Sequence, residues 1–97
     1  MNKNNAYVEN LISAILTLGK PEELYAFFED ICTIKELQDM AQRLEVAQQL
    51  YDKKVFREIA ESTGASSATI SRVNRCIMYG SGGYKTAIER MREKQAK

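Results

Sequence analysis

The sequence predicts an all-α fold, and three observations carry that prediction. Proline occurs once, at Pro21. Val, Ile and Thr nowhere alternate with polar residues as they do in half-buried strands. Apolar residues instead return with the 3.6-residue period of a helix along most of the chain. Val8, Leu11, Ile12, Ile15 and Leu16 fall at i, i+3, i+4, i+7 and i+8, which places one apolar stripe on a first helix that ends near Gly19. Pro21 opens a second helix, where a missing N–H costs nothing, and Glu22 and Glu23 meet the positive end of its dipole. Leu24, Tyr25, Phe27 and Phe28 make this segment short and aromatic, the composition of an element that fills the centre of a core. Thr33 and Glu36 fit a capping box that begins a long third helix, with Leu37, Met40, Ala41, Leu44, Ala47, Leu50 and Tyr51 on its stripe.

The first and third helices, at roughly 16 to 18 residues, would each be about 25 Å long, which is long for so small a domain. A chain of 97 residues buries only a modest core. Long stripes with too little domain to cover them predict a second copy of the chain, and neither an internal repeat nor a low-complexity linker offers another explanation. The expected assembly is a homodimer with shared helical cores.

Fourteen Lys and Arg stand against thirteen Asp and Glu, a net of +1 that hides a division. Residues 1–63 hold seven basic and eleven acidic side chains, whereas residues 64–97 hold seven basic and two acidic, and no acid lies between Glu61 and Glu89. Such asymmetry points to a polyanionic partner for the basic half, the alternative being a solvated basic face. With no His, and Cys only at positions 32 and 76, the chain lacks a zinc constellation, a Cys-x-x-Cys pair and a Ser/His/Asp arrangement, so it is not read as an enzyme. No apolar run approaches the roughly 18 to 20 residues that span a bilayer, and the start Met-Asn-Lys-Asn-Asn does not read as a signal peptide. The expectation is a cytoplasmic protein without membrane or metal, in which Cys32 and Cys76 are reduced thiols packed as small hydrophobes.

From Val55 to Arg75 the residues meet the requirements of a helix-turn-helix in order. Ile59 faces inward, Ala60 is small enough for a second helix to approach, and Gly64 supplies a left-handed turn at no steric cost. Ala65, Ile70 and Val73 then pack the helices together. The spacing of these six positions is more specific than any one of them, an ordinary helical hairpin with a glycine turn being the alternative. At 100° per residue, a buried stripe centred on Ile70, Val73 and Ile77 leaves Ala68, Ser71, Arg72 and Arg75 on the opposite face, with Ser67 and Thr69 flanking. Small side chains let a helix tip lie deep in a major groove, hydroxyls bond base edges, and arginines reach phosphate or guanine. A helix that docks protein carries large apolar anchors there instead. Double-stranded DNA is therefore the expected partner.

The stretch Gly64-Ala65-Ser66-Ser67-Ala68-Thr69-Ile70-Ser71-Arg72 resembles the turn and recognition helix of the Trp repressor family nearly residue for residue, and Arg57-Glu58 matches the pair that opens the preceding helix. The segment from Asn74 to Tyr84, with Gly80-Ser81-Gly82-Gly83, is similar to the branch of that family called YerC/YecD. The resemblance implies one six-helix Trp-repressor-like domain over 1–97, with dimerisation helices over 5–52, the helix-turn-helix over 55–78 and a C-terminal helix over 81–95. It also implies an intertwined homodimer on a palindromic operator, set in successive major grooves.

In the family's founding member two arginines hold the tryptophan corepressor, and Arg43 and Arg72 match their positions. Two neighbours depart from that pattern. Val73 stands where the tryptophan binder has glycine and would fill space that an indole needs, and Cys76 stands where it has serine. The expectation is accordingly no cofactor, with Arg43 an ion-pair partner and Arg72 a phosphate contact, and L-tryptophan or another small effector at these arginines the open alternative.

Gly80 is expected to end the recognition helix and Ser81 to cap the last, whose stripe is Tyr84, Ala87, Ile88 and Met91. The glycine loop could also touch the DNA backbone, as could Lys85, while Arg90 to Lys97 reads as a frayed, solvated tail. Together these features predict a homodimeric, sequence-specific DNA-binding transcriptional regulator, a repressor, with Arg57, Ser66, Ser67, Ala68, Thr69, Ser71, Arg72 and Arg75 as its DNA-binding residues. The alternative is a helical interaction module whose hairpin docks a partner protein, as the acidic N-terminal half would allow.

Overall fold

The computed structural model describes residues 5–96, which form six α-helices and no strand. These are α1 (Ala6–Thr17), α2 (Pro21–Ile31), α3 (Ile34–Tyr51), α4 (Phe56–Thr63), α5 (Ser67–Tyr79) and α6 (Gly83–Gln95). The chain divides between Leu37 and Gln38 into two compact units.

In the first unit, the Asn5 side-chain oxygen caps α1 by accepting from the N–H groups of Tyr7 at 3.0 Å and Val8 at 3.3 Å. With 12 residues, α1 contains the whole apolar stripe but is shorter than the length expected of it, and it stops two residues before Gly19. Local geometry explains the early stop: Pro21 forces Lys20 into an extended conformation, Leu18 is already extended, and the Thr17 hydroxyl donates to the Ala14 carbonyl at 2.7 Å. Pro21 opens α2 as expected, with Glu23 accepting from the Gly19 N–H at 3.2 Å. Within one chain α2 encloses no core of its own. Phe27 and Phe28 meet edge to face at 5.9 Å but are only half-buried, and Tyr25 is 67% exposed. Two short helices and one turn of a third cannot enclose a side chain on every side, so no described residue of α1 or α2 is buried. The capping box is formed, with Thr33 Oγ1 accepting from the Glu36 N–H at 3.0 Å and Glu36 Oε1 accepting from the Thr33 N–H at 2.8 Å.

The second unit holds the core: Val46, Ala47, Ile59, Ala65, Ile70, Val73 and Ile88, with Leu44, Leu50, Tyr51, Ala60, Ile77 and Tyr84 packed around them. Burial of each Val or Ile contributes about 1.5–3 kcal/mol. The inward faces of α4 and α5 are those the sequence predicts. The α3 stripe needs correction, because Val46 is fully buried while Met40 and Ala41 are exposed. Only the C-terminal half of α3 supplies residues to this core, and there the buried arc is centred on Val46, Ala47 and Leu50 rather than continuing the line from Leu37.

The end of the chain also departs from expectation. Ser81 does not cap α6; Gly82 does, at φ +83°, because the reversal after α5 needs a left-handed residue. Nor does α6 fray from Arg90. It continues to Gln95 because Arg92 is anchored on the end of α3, donating to both oxygens of Asp52 at 2.7 and 3.2 Å and to the Gln48 carbonyl at 3.3 Å. Its guanidinium also lies 5.7 Å from the centre of the Tyr51 ring, whose hydroxyl donates to Glu89 at 2.7 Å. Lys97, the last residue of the expected tail, lies outside the described residues.

The hydrogen bonds from Arg92 hold the Asp52 carboxyl below its ordinary range, whereas the bond to the Glu89 carboxylate pushes the Tyr51 hydroxyl upward. A carboxyl that binds its proton less readily when folded than when unfolded adds stability above the usual carboxylate range, and that contribution disappears as the pH falls through it. Arg92→Ala is thus expected to lower the melting temperature at neutral pH and to shrink the part of the acid-induced decline that sets in below about pH 4. An unchanged acid profile in thermal scans of the variant would show that the clamp does not matter.

Candidate nucleic-acid interface

The turn between α4 and α5 is set by one conformational requirement. Gly64 closes α4 at φ +74°, with its N–H donating to the Ala60 carbonyl at 3.0 Å. A Cβ there would meet nothing, so the demand for glycine comes from the left-handed backbone and not from space. Thr63 Oγ1 donates to the Ile59 carbonyl at 2.7 Å and accepts from the Ala65 N–H at 3.1 Å. Two contacts tie the end of α4 to α3: Gln42 donates to the Thr63 carbonyl at 3.1 Å, and the Ser62 hydroxyl donates to Gln49 at 2.8 Å. Neither glutamine was singled out from the sequence, although seven-residue spacing on a helix gives a common face.

Ser66 caps α5. Its Oγ accepts from the Thr69 N–H at 3.1 Å and also lies 3.1 Å from Thr69 Oγ1, a contact that holds the two hydroxyls together. At the other end Gly80 closes the helix as expected, and any Cβ would collide with the Cys76 carbonyl oxygen. Between these ends Ile70 and Val73 are each 1% exposed. Ala68, Ser71, Arg72 and Arg75 border one shallow concavity on the outer face, Ser67 is exposed, and Thr69 is half-buried. The helical-wheel division of α5 therefore holds.

Arg72 and Arg75 are exposed and carry no ion pair among the described residues. Arg57, on the first turn of α4, is paired one helical turn on with Glu61 at 3.3 Å. Both partners are largely exposed, so this pair contributes little and opens readily. Arg43 is half-buried on α3, and the ion pair expected of it is not found among the described residues. The positions that follow one turn on are Val46 and Ala47, both apolar core residues. The concavity bordered by Arg72 does not include Arg43. Cys76 is exposed rather than packed and borders a mostly apolar groove with Leu44, residues 80–83, Tyr84 and Ala87, while Cys32 is half-buried. Among the described residues no helix is long and apolar enough to cross a membrane.

Two helices joined through a left-handed glycine, the second turning apolar residues inward and a small, polar and cationic face outward, define a helix-turn-helix protein. The sequence model of the family described as Trp repressor protein matches residues 6–92, and the chain belongs to that family, whose members are DNA-binding regulators and not enzymes. It is 49% identical over 86 residues to the uncharacterized protein YerC of Bacillus subtilis (strain 168), covering 89% of this chain and 83% of that one. Two crystal structures are close in fold. One is of a TrpR like protein from Eubacterium eligens ATCC 27750, with TM-score 0.87, 50% identity and 91% coverage of each chain. The other is of a Staphylococcus aureus protein proposed to be a Trp repressor, with TM-score 0.87, 42% identity and coverage of 92% of this chain and 89% of that one.

Ser66→Ala removes the cap of α5 and is expected to cost about 1 kcal/mol. The test is urea denaturation: the midpoint should fall with an unchanged slope, and an unmoved midpoint would mean that the cap bond is not made in solution.

Proposed function

We propose that the protein is a homodimeric, sequence-specific repressor that sets α5 of each subunit in successive major grooves of a palindromic operator. The observation that carries this proposal is the outer face of α5, where Ala68, Ser71, Arg72 and Arg75 border one concavity opposite the buried Ile70 and Val73. In this proposal Ser66, Ser67, Ala68, Thr69 and Ser71 approach base edges, and Arg57, Arg72 and Arg75 hold phosphates. The contact between the Ser66 and Thr69 hydroxyls at 3.1 Å supports a reading role, since it holds both oxygens at the start of α5. For Arg57 to engage a phosphate, Glu61 must release it, and the exposure of that pair makes the exchange inexpensive.

The dimer is supported by the first unit. Tyr7 is 85% exposed, Leu16 79% and Ile34 78%, more apolar surface than a solvated helix of this size leaves open. Sedimentation at micromolar concentration should give twice the 11.0 kDa chain mass, and a persistent monomer would remove the palindromic operator from the proposal.

Tryptophan is not part of this proposal. Val73 is buried in the core, and the concavity bordered by Arg72 does not include Arg43. Arg75→Ala should weaken binding to all DNA by a similar factor and reduce the slope of log K against log salt by about 0.9 per contact. Ser67→Ala or Thr69→Ala should instead change which sequences are selected from genomic fragments, with about 1–3 kcal/mol of discrimination lost at one base pair. Added tryptophan should leave all of these values unchanged. Binding that ignores salt, or no fragment enriched, would exclude a DNA-reading role, and tighter binding with tryptophan would restore the corepressor.

A further inference from the structure

The turn that leads into α4 carries a second group of cations. Lys53 and Lys54 are exposed and make no ion pair among the described residues. They precede Arg57 closely enough that the Cα atoms of Lys53 and Arg57 lie at most about 14 Å apart. Two of the nearest acids are already engaged, Asp52 by Arg92 at 2.7 Å and Glu61 by Arg57 at 3.3 Å. Glu58 and Glu61 border a concavity together with Lys54, Gln49 and Ser62, so some of the Lys54 charge is answered there, whereas Lys53 lies outside that lining.

The turn is also held in place. The Lys53 N–H donates to the Leu50 carbonyl at 3.0 Å and the Lys54 N–H to the Gln49 carbonyl at 3.1 Å, the pattern that closes a helix with a left-handed residue. That residue is Lys53, at φ +65°. Glycine takes this conformation at lower cost, so closing α3 gives no reason for a lysine. Its charge remains as the property to be explained.

We propose that Lys53 and Lys54 are a DNA-backbone contact, which holds phosphates beyond the base pairs read by α5, with Lys53 the stronger member. In helix-turn-helix docking the first helix crosses the phosphate backbone, and a turn at its entrance can extend that crossing. Lysine suits the task, being a point charge that needs no fixed geometry. Such contacts set affinity and register without reading sequence.

This inference rests on the DNA-binding proposal and is tested with the full-length protein on operator and unrelated duplexes over a range of salt. Lys53→Gln should weaken both by the same factor and lower the log–log salt slope by about 0.9 per bound subunit, with Lys54→Gln doing so less. Lys53→Gly should raise the melting temperature while weakening DNA binding equally, a combination that a purely structural lysine would not give. Lys94→Gln, an exposed lysine near the end of α6, should leave the slope unchanged. Parent-like affinity and slope in both the Lys53 and Lys54 variants would overturn the inference while leaving the reading helix intact. So would an equal loss in Lys94→Gln. Failure of the parent protein to bind any duplex would overturn the DNA-binding proposal itself.

Discussion

The rotation of α5 about its own axis governs what this protein can present to a partner, and that rotation is fixed by Ile70 and Val73. Both are buried with Val46, Ile59 and Ile88, and each contributes about 1.5–3 kcal/mol where it stands. Turning the helix by one residue would bring Ser71 or Arg72 into a core that offers no partner for a hydroxyl or a charge, at a cost well above the gain from any replacement contact. The outer face therefore follows from the inner one. Val73 directly follows Arg72, so the side chain that locks the helix also fixes the direction in which that arginine leaves it.

Apolar packing sets the rotation but not the ends of the helices, which are placed by polar contacts. Gln42 and Gln49, two turns apart on α3, hold Thr63 and Ser62 and so fix where α4 stops. Ser66 fixes where α5 starts. Arg92 joins α6 to the last turn of α3 and stiffens the segment from Gln48 to Asp52 that leads into α4. Each neutral bond of this kind is worth about 0.5–1.5 kcal/mol, too little to form the fold yet enough to choose among helix ends a residue or two apart. A docked helix must match phosphates spaced along a duplex, so such small terms decide register.

The sequence made most of this legible where local rules act alone. Pro21, the Thr33 and Glu36 box, Gly64 and Gly80 each impose a backbone conformation on their own neighbours, and the helices begin or end beside them. The α5 face was readable because Ile70, Val73 and Ile77 repeat without ambiguity. Tertiary packing was harder to read. Val46 lies beside the apparent stripe of α3 and is fully buried, because the arc a helix buries depends on the elements that meet it. Arg92 and Asp52 are forty residues apart, and nothing local marks them as partners. Ser81 has the side chain of a cap, but the cap falls one residue later on Gly82, whose left-handed φ of +83° suits glycine and leaves α6 without a side-chain cap bond.

The charge division also takes a different form once the structural boundary replaces the sequence midpoint. Residues 1–37 hold three basic and six acidic side chains, and residues 38–97 hold eleven basic and seven acidic. Lys53, Lys54 and Arg57, which a count by halves assigns to the acidic part, thus belong to the unit that carries α5. Within that unit the pairs Arg92–Asp52 and Arg57–Glu61 cancel locally and leave the unit's positive net unchanged. Because exposed charges act over about 8 Å at physiological salt, what matters to an approaching polyanion is this local excess and not the chain's net of +1. A nearly neutral sequence can in this way present a cationic surface, provided its excess of acids lies in the other unit.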